Sequence, residues 1–202
     1  DKLPKELNDM AATLAKVKAT NPDVLTVSGH SKGALTAIRQ ISEMQVDIPM
    51  LAMTHCDASK LAKQHGKKAE YALCAAQWHK SLSYKDKYFG NGMKYDKDFN
   101  AEYGYTPPYQ AAESSAALLV WKDAFERANS TDTEKVRDAL AKTDMQTFYG
   151  NIKFGSGGQN TAKPMVLFQV ICDGDKCENK VVAPTKWASA KLVHPVPKWS
   201  ER

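Results

Sequence analysis

Helical spacing and short unbroken apolar runs alternate along the first third of the chain. The helical spacing comes first and stops at an Asn-Pro-Asp sequence at 21–23; its apolar residues are Leu7, Met10, Leu14 and Val17. Three apolar runs follow, at 24–28, 48–54 and 71–76. Strands that are apolar throughout are typical of parallel sheets covered on both faces, whereas half-exposed strands alternate. The pattern therefore predicts an α/β unit with doubly wound parallel strands.

Helices are predicted between those runs. One covers about 31–44, and the next begins at Asp57, a good N-cap residue, and ends at Gly66. Only one helix precedes the first strand, so the sheet has no visible first half. Two explanations stay open at this point: the chain is the C-terminal part of a larger protein, or its later strands complete the sheet.

The sequence changes character at Lys80. Residues 80–106 are polar and rich in Tyr and Lys, with a helix predicted at 93–103. A longer helix is predicted at 109–127, where alanine and leucine residues follow helical spacing. The break at Lys80 is where a second lobe could begin.

The last third of the chain returns to short elements. Thr131 and Glu134 have the spacing of a capping box, which predicts a short helix after them. Strands are predicted at 150–154 and 165–170. The tail at 184–202 contains several prolines and little periodicity, so we expect an extended strap over the surface.

Cysteine pairing bears on the compartment. Cys172 and Cys177 bracket an Asp-Gly-Asp-Lys turn between two β-rich runs, which predicts a disulfide across the mouth of a hairpin. Such a bridge favours an oxidising compartment. Cys56 and Cys74 could pair as well, but nothing in the local sequence decides it.

Charge and hydropathy argue against two classes of partner. The net charge is +5 and the basic residues are scattered among acidic ones, so nucleic acid is not an expected partner. No stretch approaches the roughly 18 to 20 apolar residues of a membrane span. The chain begins at Asp1 without a Met or an apolar leader, so we expect a mature form or a piece of a longer protein.

Polar and imidazole side chains follow each of the three predicted strands. In open parallel sheets, ligands bind beyond the carboxyl ends of the strands. The residues that this rule selects are His30 and Ser31 after the first strand, Thr54 and His55 after the second, and Gln77 and Trp78 after the third. Either histidine could equally be structural, and Trp78 could cover the strand end instead of stacking on a ligand. Two imidazoles at equivalent strand ends nevertheless favour a binding site.

Ser31 has three interpretations, because Gly-His-Ser-Lys-Gly at 29–33 fits the G-x-S-x-G nucleophile elbow. It could cap the helix, contact a ligand carboxylate beside the N–H groups of the helix start, or act as a nucleophile. A nucleophile needs a base, an acid and an oxyanion hole, and the hydrolase fold places several strands before the elbow. Asp173 and His194 have the right order for a triad, but they lie in a turn and a Pro-rich tail. We therefore expect no enzymatic activity and keep a serine hydrolase using Ser31 as the alternative.

Five short segments carry a resemblance to a known family. They are Asn-Pro-Asp-Val-Leu at 21–25, Tyr-Gly-Tyr at 103–105, the Ala-rich helix at 109–128, Glu-Lys-Val-Arg-Asp-Ala-Leu at 134–140 and Tyr-Gly-Asn-Ile-Lys-Phe at 149–154. In this order and spacing they resemble the C-terminal half of type I periplasmic binding proteins. Within that group they are similar to the leucine/isoleucine/valine-binding family that feeds ABC transporters.

The resemblance implies two lobes that close on a solute, with only the C-terminal half of the chain present. It assigns 1–79 to lobe two, 80–163 to part of lobe one, and 164–202 to return strands and a C-terminal strap on lobe two. It implies an extracytoplasmic solute-binding protein of an ABC importer, periplasmic or secreted. The implied partners are a small-molecule solute, a membrane permease and the missing N-terminal half of the same protein. No cofactor and no metal is expected.

The resemblance also bears on the site and its solute. Tyr109, from the first lobe, is expected to join the strand-end residues in binding the ligand. His55 falls near the position that supplies an acidic partner to the ammonium group of an amino acid, but 52–56 contains no Asp or Glu. A small amino acid and an organic acid, including an aromatic one, both stay open as the solute. A ligand-sensing receptor domain on the same fold is a further alternative.

Overall fold

Two compact units make up the chain in the computed structural model, which describes residues 1–4, 8–56, 61 and 64–202. Unit 1 combines Asp1–Ala76 with Val166–Arg202, and unit 2 is Gln77–Met165. Each unit therefore has its own core, and unit 1 is built from two separate stretches of the chain. The assignment of these stretches to lobes of a larger protein stays a prediction.

Helices and strands alternate in the first part of unit 1, whereas in unit 2 three successive helices lie between two pairs of short strands. The helices are α1 (Ala11–Thr20), α2 (Ser31–Glu43), α3 (Gly92–Tyr103), α4 (Tyr109–Ala128) and α5 (Thr133–Ala141). The strands are β1 (Leu25–Val27), β2 (Leu51–Met53), β3 (Leu73–Ala76), β4 (Lys85–Asp86), β5 (Gly90–Asn91), β6 (Asp144–Thr147), β7 (Gly150–Lys153), β8 (Val166–Asp173) and β9 (Lys176–Ala183). Short 3-10 turns lie at Gly66–Ala69, Thr185–Trp187 and Trp199–Glu201.

The sheet of unit 1 has the order β1-β2-β3-β8-β9. Its first three strands are parallel, with Leu25 opposite Leu51 and Ala52 opposite Leu73, as the apolar runs predicted. β8 and β9 then extend the sheet as an antiparallel hairpin, so the sheet is mixed and not parallel throughout. The later strands thus extend this sheet beyond β3, and β1 is its other edge within the described residues. The α/β architecture expected from the sequence is confirmed.

Several elements begin or end at other residues than the sequence predicted; the strands after the first helix, for example, are shorter than the apolar runs. The capping box at Thr131 and Glu134 is wrong, because Asp132 is the N-cap of α5 and its carboxylate accepts a hydrogen bond from the Lys135 amide, 3.1 Å away. The first helix begins at Ala11, and Leu7 lies outside the described residues. The predicted cap Asp57 also lies outside them.

A buried amide fastens the C-terminal segment to unit 1. Gln169 on β8 is fully buried, and its side-chain nitrogen donates to the carbonyl oxygens of Tyr71 and Val193, both at 3.0 Å. Its side-chain oxygen accepts from the Val193 amide at 2.9 Å. Further along, the Trp199 indole donates to the Val46 carbonyl at 3.0 Å. The side-chain amide of Gln169 is thus hydrogen-bonded, as buried polar groups generally are. The C-terminal segment follows an extended path across unit 1.

Both disulfides belong to unit 1. The predicted Cys172–Cys177 bridge is confirmed, and it closes the β8-β9 hairpin where the two residues face each other in register. Cys56 and Cys74 are also bridged, which ties the segment after β2 to β3. The local sequence left this pairing open. It forms because β2 and β3 are neighbouring parallel strands, which brings the two cysteines together.

Aromatic packing forms the core of unit 2 near its first residues. Tyr95 stacks on Phe148 with ring centroids 4.3 Å apart, and Trp78 meets both rings edge-on. The β6-β7 hairpin supplies Phe148, and α3 supplies Tyr95. Neighbouring faces of α4 and α5 pack through Ala124, Val136 and other small apolar residues. Offset and edge-to-face ring pairs of this kind add to the stability that burial alone provides.

Candidate functional site

The ends of β1 and β2 are joined by the side chain of Thr54. Its hydroxyl accepts a hydrogen bond from the Gly29 amide at 3.0 Å and lies 3.3 Å from the Gly29 carbonyl. The Thr54 amide itself donates to the Val27 carbonyl at 3.1 Å. Because the two strands are parallel neighbours, their carboxyl ends lie side by side, and Thr54 holds the turn that leads into α2. Thr54 therefore shapes the strand ends.

Ser31 is the first residue of α2, and its hydroxyl is directed at the second strand end. It donates to the backbone carbonyl of His55 at 3.0 Å. The residue before it, His30, is the N-cap and has an extended backbone, but its side chain makes no capping hydrogen bond. The positive end of a helix of 13 residues is therefore left without a side-chain cap.

Two imidazole rings stand beside that helix start. The ring centroids of His30 and His55 are 5.4 Å apart, with the rings tilted by 55° to each other, and both residues are exposed. His55 has a φ of 52°, in the left-handed region that non-glycine residues adopt rarely. Backbone in that region often marks a functional position. Helix N–H groups and imidazoles together suit a carboxylate ligand. We call His30, Ser31, Thr54 and His55 the strand-end cluster.

The geometry around Ser31 differs from that of a nucleophile elbow. Its hydroxyl donates to a carbonyl oxygen, and among the described residues no imidazole nitrogen makes a hydrogen bond with it. Ser31 also has ordinary helical backbone. A methyl group added at Gly29 or Gly33 would meet no atom within 4 Å, whereas the glycines of an elbow are needed for close approach. The serine hydrolase alternative is left without support.

The three remaining predicted site residues lie in unit 2. Trp78 is only 5% exposed, and its indole N–H donates to the Phe148 carbonyl at 3.3 Å, within the aromatic core of that unit. Tyr109 is half-buried at the first position of α4. Gln77 is half-buried at the start of the unit. Contact of these residues with a ligand stays a prediction.

A cavity of about 540 Å³ opens in unit 2, and sequence inspection did not identify it. Its apolar wall comes from α4 and β7, and its polar groups come from Gln77, Glu113, Tyr149, Asn160 and Lys163. The Lys163 amine donates to the Gln77 carbonyl and lies 4.2 Å from the centre of the Tyr149 ring. The amine thus lies beside a backbone carbonyl and an aromatic ring in a cavity lined by both apolar and polar residues.

Burial changes the acidity of two groups in this cavity. It lowers the pKa of the Lys163 amine to about 8, although the nearby Glu113 carboxylate opposes the change. It also raises the pKa of the Tyr149 hydroxyl, with smaller contributions of the same sign from Glu113 and Tyr109. Perturbed groups in a cavity are candidates for function. Lys163 precedes a proline in a loop, where no periodicity or motif distinguishes it from other lysines.

The predicted site residues thus fall into two sets. The structure brings His30, Ser31, Thr54 and His55 together in unit 1. In unit 2 it links Gln77 to Lys163 through a hydrogen bond, and Tyr109 contributes to the raised pKa of Tyr149. Trp78 is the one predicted site residue of the seven that lies mainly in a hydrophobic core.

Comparison with known proteins identifies the family and the fold. The model of a family described as periplasmic binding protein matches residues 1–176. The leucine-binding protein LivK from Thermotoga maritima superposes with a TM-score of 0.76 at 22% identity, over 91% of this chain and 51% of that chain. LivJ of Streptococcus pneumoniae, solved with isoleucine, gives a TM-score of 0.70 at 18% identity, over 90% of this chain and 51% of that chain.

A third solved structure holds a different ligand. The solute-binding protein of an ABC transporter from R. palustris, in complex with benzoate, gives a TM-score of 0.67 at 18% identity, over 94% of this chain and 52% of that chain. The chain thus spans about half the length of the solved structures that it matches. Within the part of the chain that the structure describes, no helix is both long and apolar enough to cross a membrane.

Proposed function

The chain belongs to the periplasmic binding protein family, and from that premise we propose that it is part of an extracytoplasmic solute-binding protein serving an ABC importer. The similar solved structures include solute-binding proteins of ABC transporters, which supports this function. Two disulfides within unit 1 support a location outside the reducing cytoplasm, periplasmic or secreted. The proposal includes a membrane permease as partner and no catalytic step.

The observation that carries the proposal is the strand-end cluster in unit 1. It combines the uncapped start of α2 with the imidazoles of His30 and His55 at the carboxyl ends of two parallel strands. In open α/β sheets this edge is where ligands bind. A carboxylate placed there would accept hydrogen bonds from the helix N–H groups and, when an imidazole is protonated, gain a charged partner.

The binding free energy that a helix N-terminus provides is too small for tight binding, so a second binding surface is needed. An anion at a helix N-terminus gains at most about 2 kcal/mol, whereas micromolar affinity corresponds to about 8 kcal/mol. The two histidines of the strand-end cluster are exposed, so water weakens the contacts that they make. We therefore propose that a second surface closes over the solute, with Gln77 and Tyr109 of unit 2 contributing to it. Closure would be a shift of a hinge equilibrium, because solute binds the closed state better.

The chemical class of the solute follows from the groups in the cluster. An imidazole at His55 is a weaker partner for an ammonium group than a carboxylate would be, and 52–56 contains no Asp or Glu. Isoleucine and benzoate, found in two of the similar structures, share a carboxylate and an apolar body. We propose a solute of that kind, either a small amino acid or an organic acid that includes aromatic ones.

Isothermal titration calorimetry tests this function. The protein is expressed from its gene together with the coding sequence that precedes this chain, and it is titrated with isoleucine and with benzoate. We expect one of the two classes to bind, and the His30→Ala/His55→Ala double variant to bind at least about tenfold more weakly, equivalent to about 1.4 kcal/mol. His194→Ala, in the C-terminal segment, is the matched control and should leave the affinity unchanged. Equal affinity in the double variant and the wild type would refute the site.

A further inference from the structure

A tyrosine at the tip of the β4-β5 hairpin lies between two lysines. Tyr88 is the middle residue of the turn at 87–89 that joins the two strands, and it is 47% exposed. The Lys87 amine lies 5.0 Å from the centre of its ring, and the Lys122 amine, which comes from α4, lies 5.4 Å from the same point. Both lysines are exposed. The hairpin tip thus brings one phenol and two ammonium groups together on the surface of unit 2.

The turn that carries Tyr88 is fixed to the core of unit 2. One oxygen of the Asp86 carboxylate accepts hydrogen bonds from the Tyr88 and Phe89 amides, both at 2.8 Å. The other oxygen accepts a hydrogen bond from the Phe148 amide at 2.7 Å. The Phe89 ring packs against the Phe148 ring, with centroids 5.1 Å apart. Backbone contacts and a packed ring therefore fix where Tyr88 meets α4.

The two lysines change the acidity of the phenol. A hydrogen bond from Lys122 contributes most to lowering the pKa of the Tyr88 hydroxyl; burial opposes it less strongly, and a hydrogen bond from Lys87 lowers the pKa further. Positive charges near a phenol favour its ionised form. At a given pH, a larger fraction of Tyr88 is therefore phenolate than of a tyrosine without such neighbours. The phenolate is the nucleophilic form.

The amine of Lys122 holds its proton more firmly than an ordinary lysine does. Hydrogen bonds to Glu126 and to the Tyr88 hydroxyl raise the pKa of this amine. Lys122 and Glu126 also form an ion pair along α4. A protonated amine has donor hydrogens but no free electron pair with which to attack. The oxygen of Tyr88, and not the nitrogen of Lys122, is therefore the nucleophile of this group.

Two other tyrosines of unit 2 provide an internal comparison. Tyr103 and Tyr105 are 61% and 54% exposed, which is more than Tyr88. Their rings both pack on Phe99, with centroid distances of 4.5 and 5.2 Å. If access alone determined reactivity, these two tyrosines would react before Tyr88. The lysine neighbours of Tyr88 predict the opposite order.

We propose that Tyr88 is a modification site, at which the phenol oxygen accepts an acyl group from an activated acyl donor. In this step the oxygen attacks the carbonyl carbon of the donor, and an aryl ester bond forms. The bond from that carbon to the leaving group breaks, and its electron pair stays with the leaving group, which takes up the phenolic proton. Lys87 and Lys122 act through the phenol oxygen. The site is separate from the strand-end cluster and does not depend on the function proposed above.

Acetylation with N-acetylimidazole tests this site. The protein, expressed together with the coding sequence that precedes this chain, is treated close to neutral pH, and peptide mass spectrometry follows each of the eight tyrosines of the chain. We expect Tyr88 to be acetylated at least about threefold faster than Tyr103 and Tyr105, since an activated nucleophile reacts ahead of an ordinary one. Hydroxylamine should remove the acetyl group, because it cleaves aryl esters and leaves lysine amides intact.

Variants of the two lysines separate activation from access. Lys87→Met/Lys122→Met should lower the acetylation rate at Tyr88 to that of Tyr103 or below. Lys87→Arg/Lys122→Arg keeps both positive charges and should keep the faster rate. Lys97→Met removes an exposed lysine from α3, so it is the matched control and should leave the rate at Tyr88 unchanged.

Three outcomes would overturn the proposal. The first is a rate at Tyr88 in the wild type no higher than the rates at Tyr103 and Tyr105. The second is a fast rate at Tyr88 that persists in the double methionine variant, because access would then explain it. The third is hydroxylamine-resistant acetylation of Lys87 or Lys122 ahead of Tyr88, because the amines would then be the nucleophiles.

Discussion

The strand-end cluster in unit 1 and the cavity in unit 2 place polar groups in opposite environments. His30 and His55 are exposed, and their neighbours hold them through backbone contacts at two strand ends. Tyr149 is buried and Lys163 is half-buried, and burial changes the pKa of both side chains. The first arrangement leaves its groups open to a ligand from solvent. In the cavity, the Lys163 amine already donates a hydrogen bond to the Gln77 carbonyl within the same unit.

That difference also explains which site residues were recognisable in the sequence. The strand-end cluster follows from a topological rule, because residues after parallel strands share one edge of a sheet. The cavity follows from no local rule, since Gln77 and Lys163 are 86 positions apart. The exposed histidines were thus predicted from the sequence, whereas the half-buried Lys163 was not. Four predictions test the contrast, beginning with the largest expected effect.

Replacing Trp78 should affect the stability of unit 2 most strongly. Trp78→Ala removes a buried indole from the aromatic core, which costs about 3 to 5 kcal/mol in comparable substitutions. Trp121→Ala removes the same side chain from an exposed position and should cost under about 1 kcal/mol in the 202-residue chain. Urea unfolding followed by near-UV circular dichroism measures both. Equal losses in the two variants would mean that Trp78 is not a core residue.

Reduction of the Cys56–Cys74 bridge should destabilise unit 1 and spare unit 2. The bridge spans 18 positions, and opening a loop of that order costs about 3 kcal/mol. Cys56→Ala/Cys74→Ala is compared with Cys172→Ala/Cys177→Ala, whose bridge spans only 5 positions and should contribute less. Hydrogen exchange resolves the effect by region. Loss of protection at α4 as large as that at β2 would contradict separate units.

The buried amine of Lys163 should make stability depend on pH. Its pKa is lowered from 10.5 to about 8, so between these values the unfolded chain binds a proton that the folded chain does not. Stability of the wild type should therefore rise with pH across that window, and the penalty for burying the charge is fully present below it. In Lys163→Met this rise should be missing.

Thermal unfolding of the 202-residue chain at about pH 7 and about pH 10 measures the Lys163 effect. Lys153→Met is the matched control, because Lys153 is exposed and pairs with Asp144. It should keep the wild-type pH dependence. A Lys163→Met variant that gains as much stability as the wild type between the two pH values would show that the amine is not buried.

Removing the Thr54 hydroxyl should have the smallest effect. Thr54→Val loses its contacts with the Gly29 backbone, which are worth about 1 kcal/mol. The turn before α2 should loosen, and solute affinity should fall because His30 and Ser31 lose their fixed position. Thr26→Val, on the exposed side of β1, is the control and should change neither property. Unaltered affinity in Thr54→Val would show that the turn does not need this hydroxyl.

Local sequence patterns predicted much of unit 1 and less of unit 2. The apolar runs predicted β1, β2 and β3 as parallel strands, and the spacing of Cys172 and Cys177 predicted their bridge. In unit 2 the two-residue strands β4 and β5 were not predicted, because segments that short carry no periodicity. The cap of α5 was displaced by one residue, since Thr131 and Asp132 are both suitable cap residues and only backbone geometry separates them.

The sequence by itself determined the α/β class and the hairpin disulfide, because these depend on apolar runs along the chain and on two cysteines 5 positions apart. Tertiary structure alone decided the antiparallel extension of the sheet by β8, the Cys56–Cys74 bridge and the partial burial of Lys163. It also decided that Trp78 packs into an aromatic core with Phe148. These features depend on contacts between distant segments, and contacts of that kind leave no periodic trace in either segment.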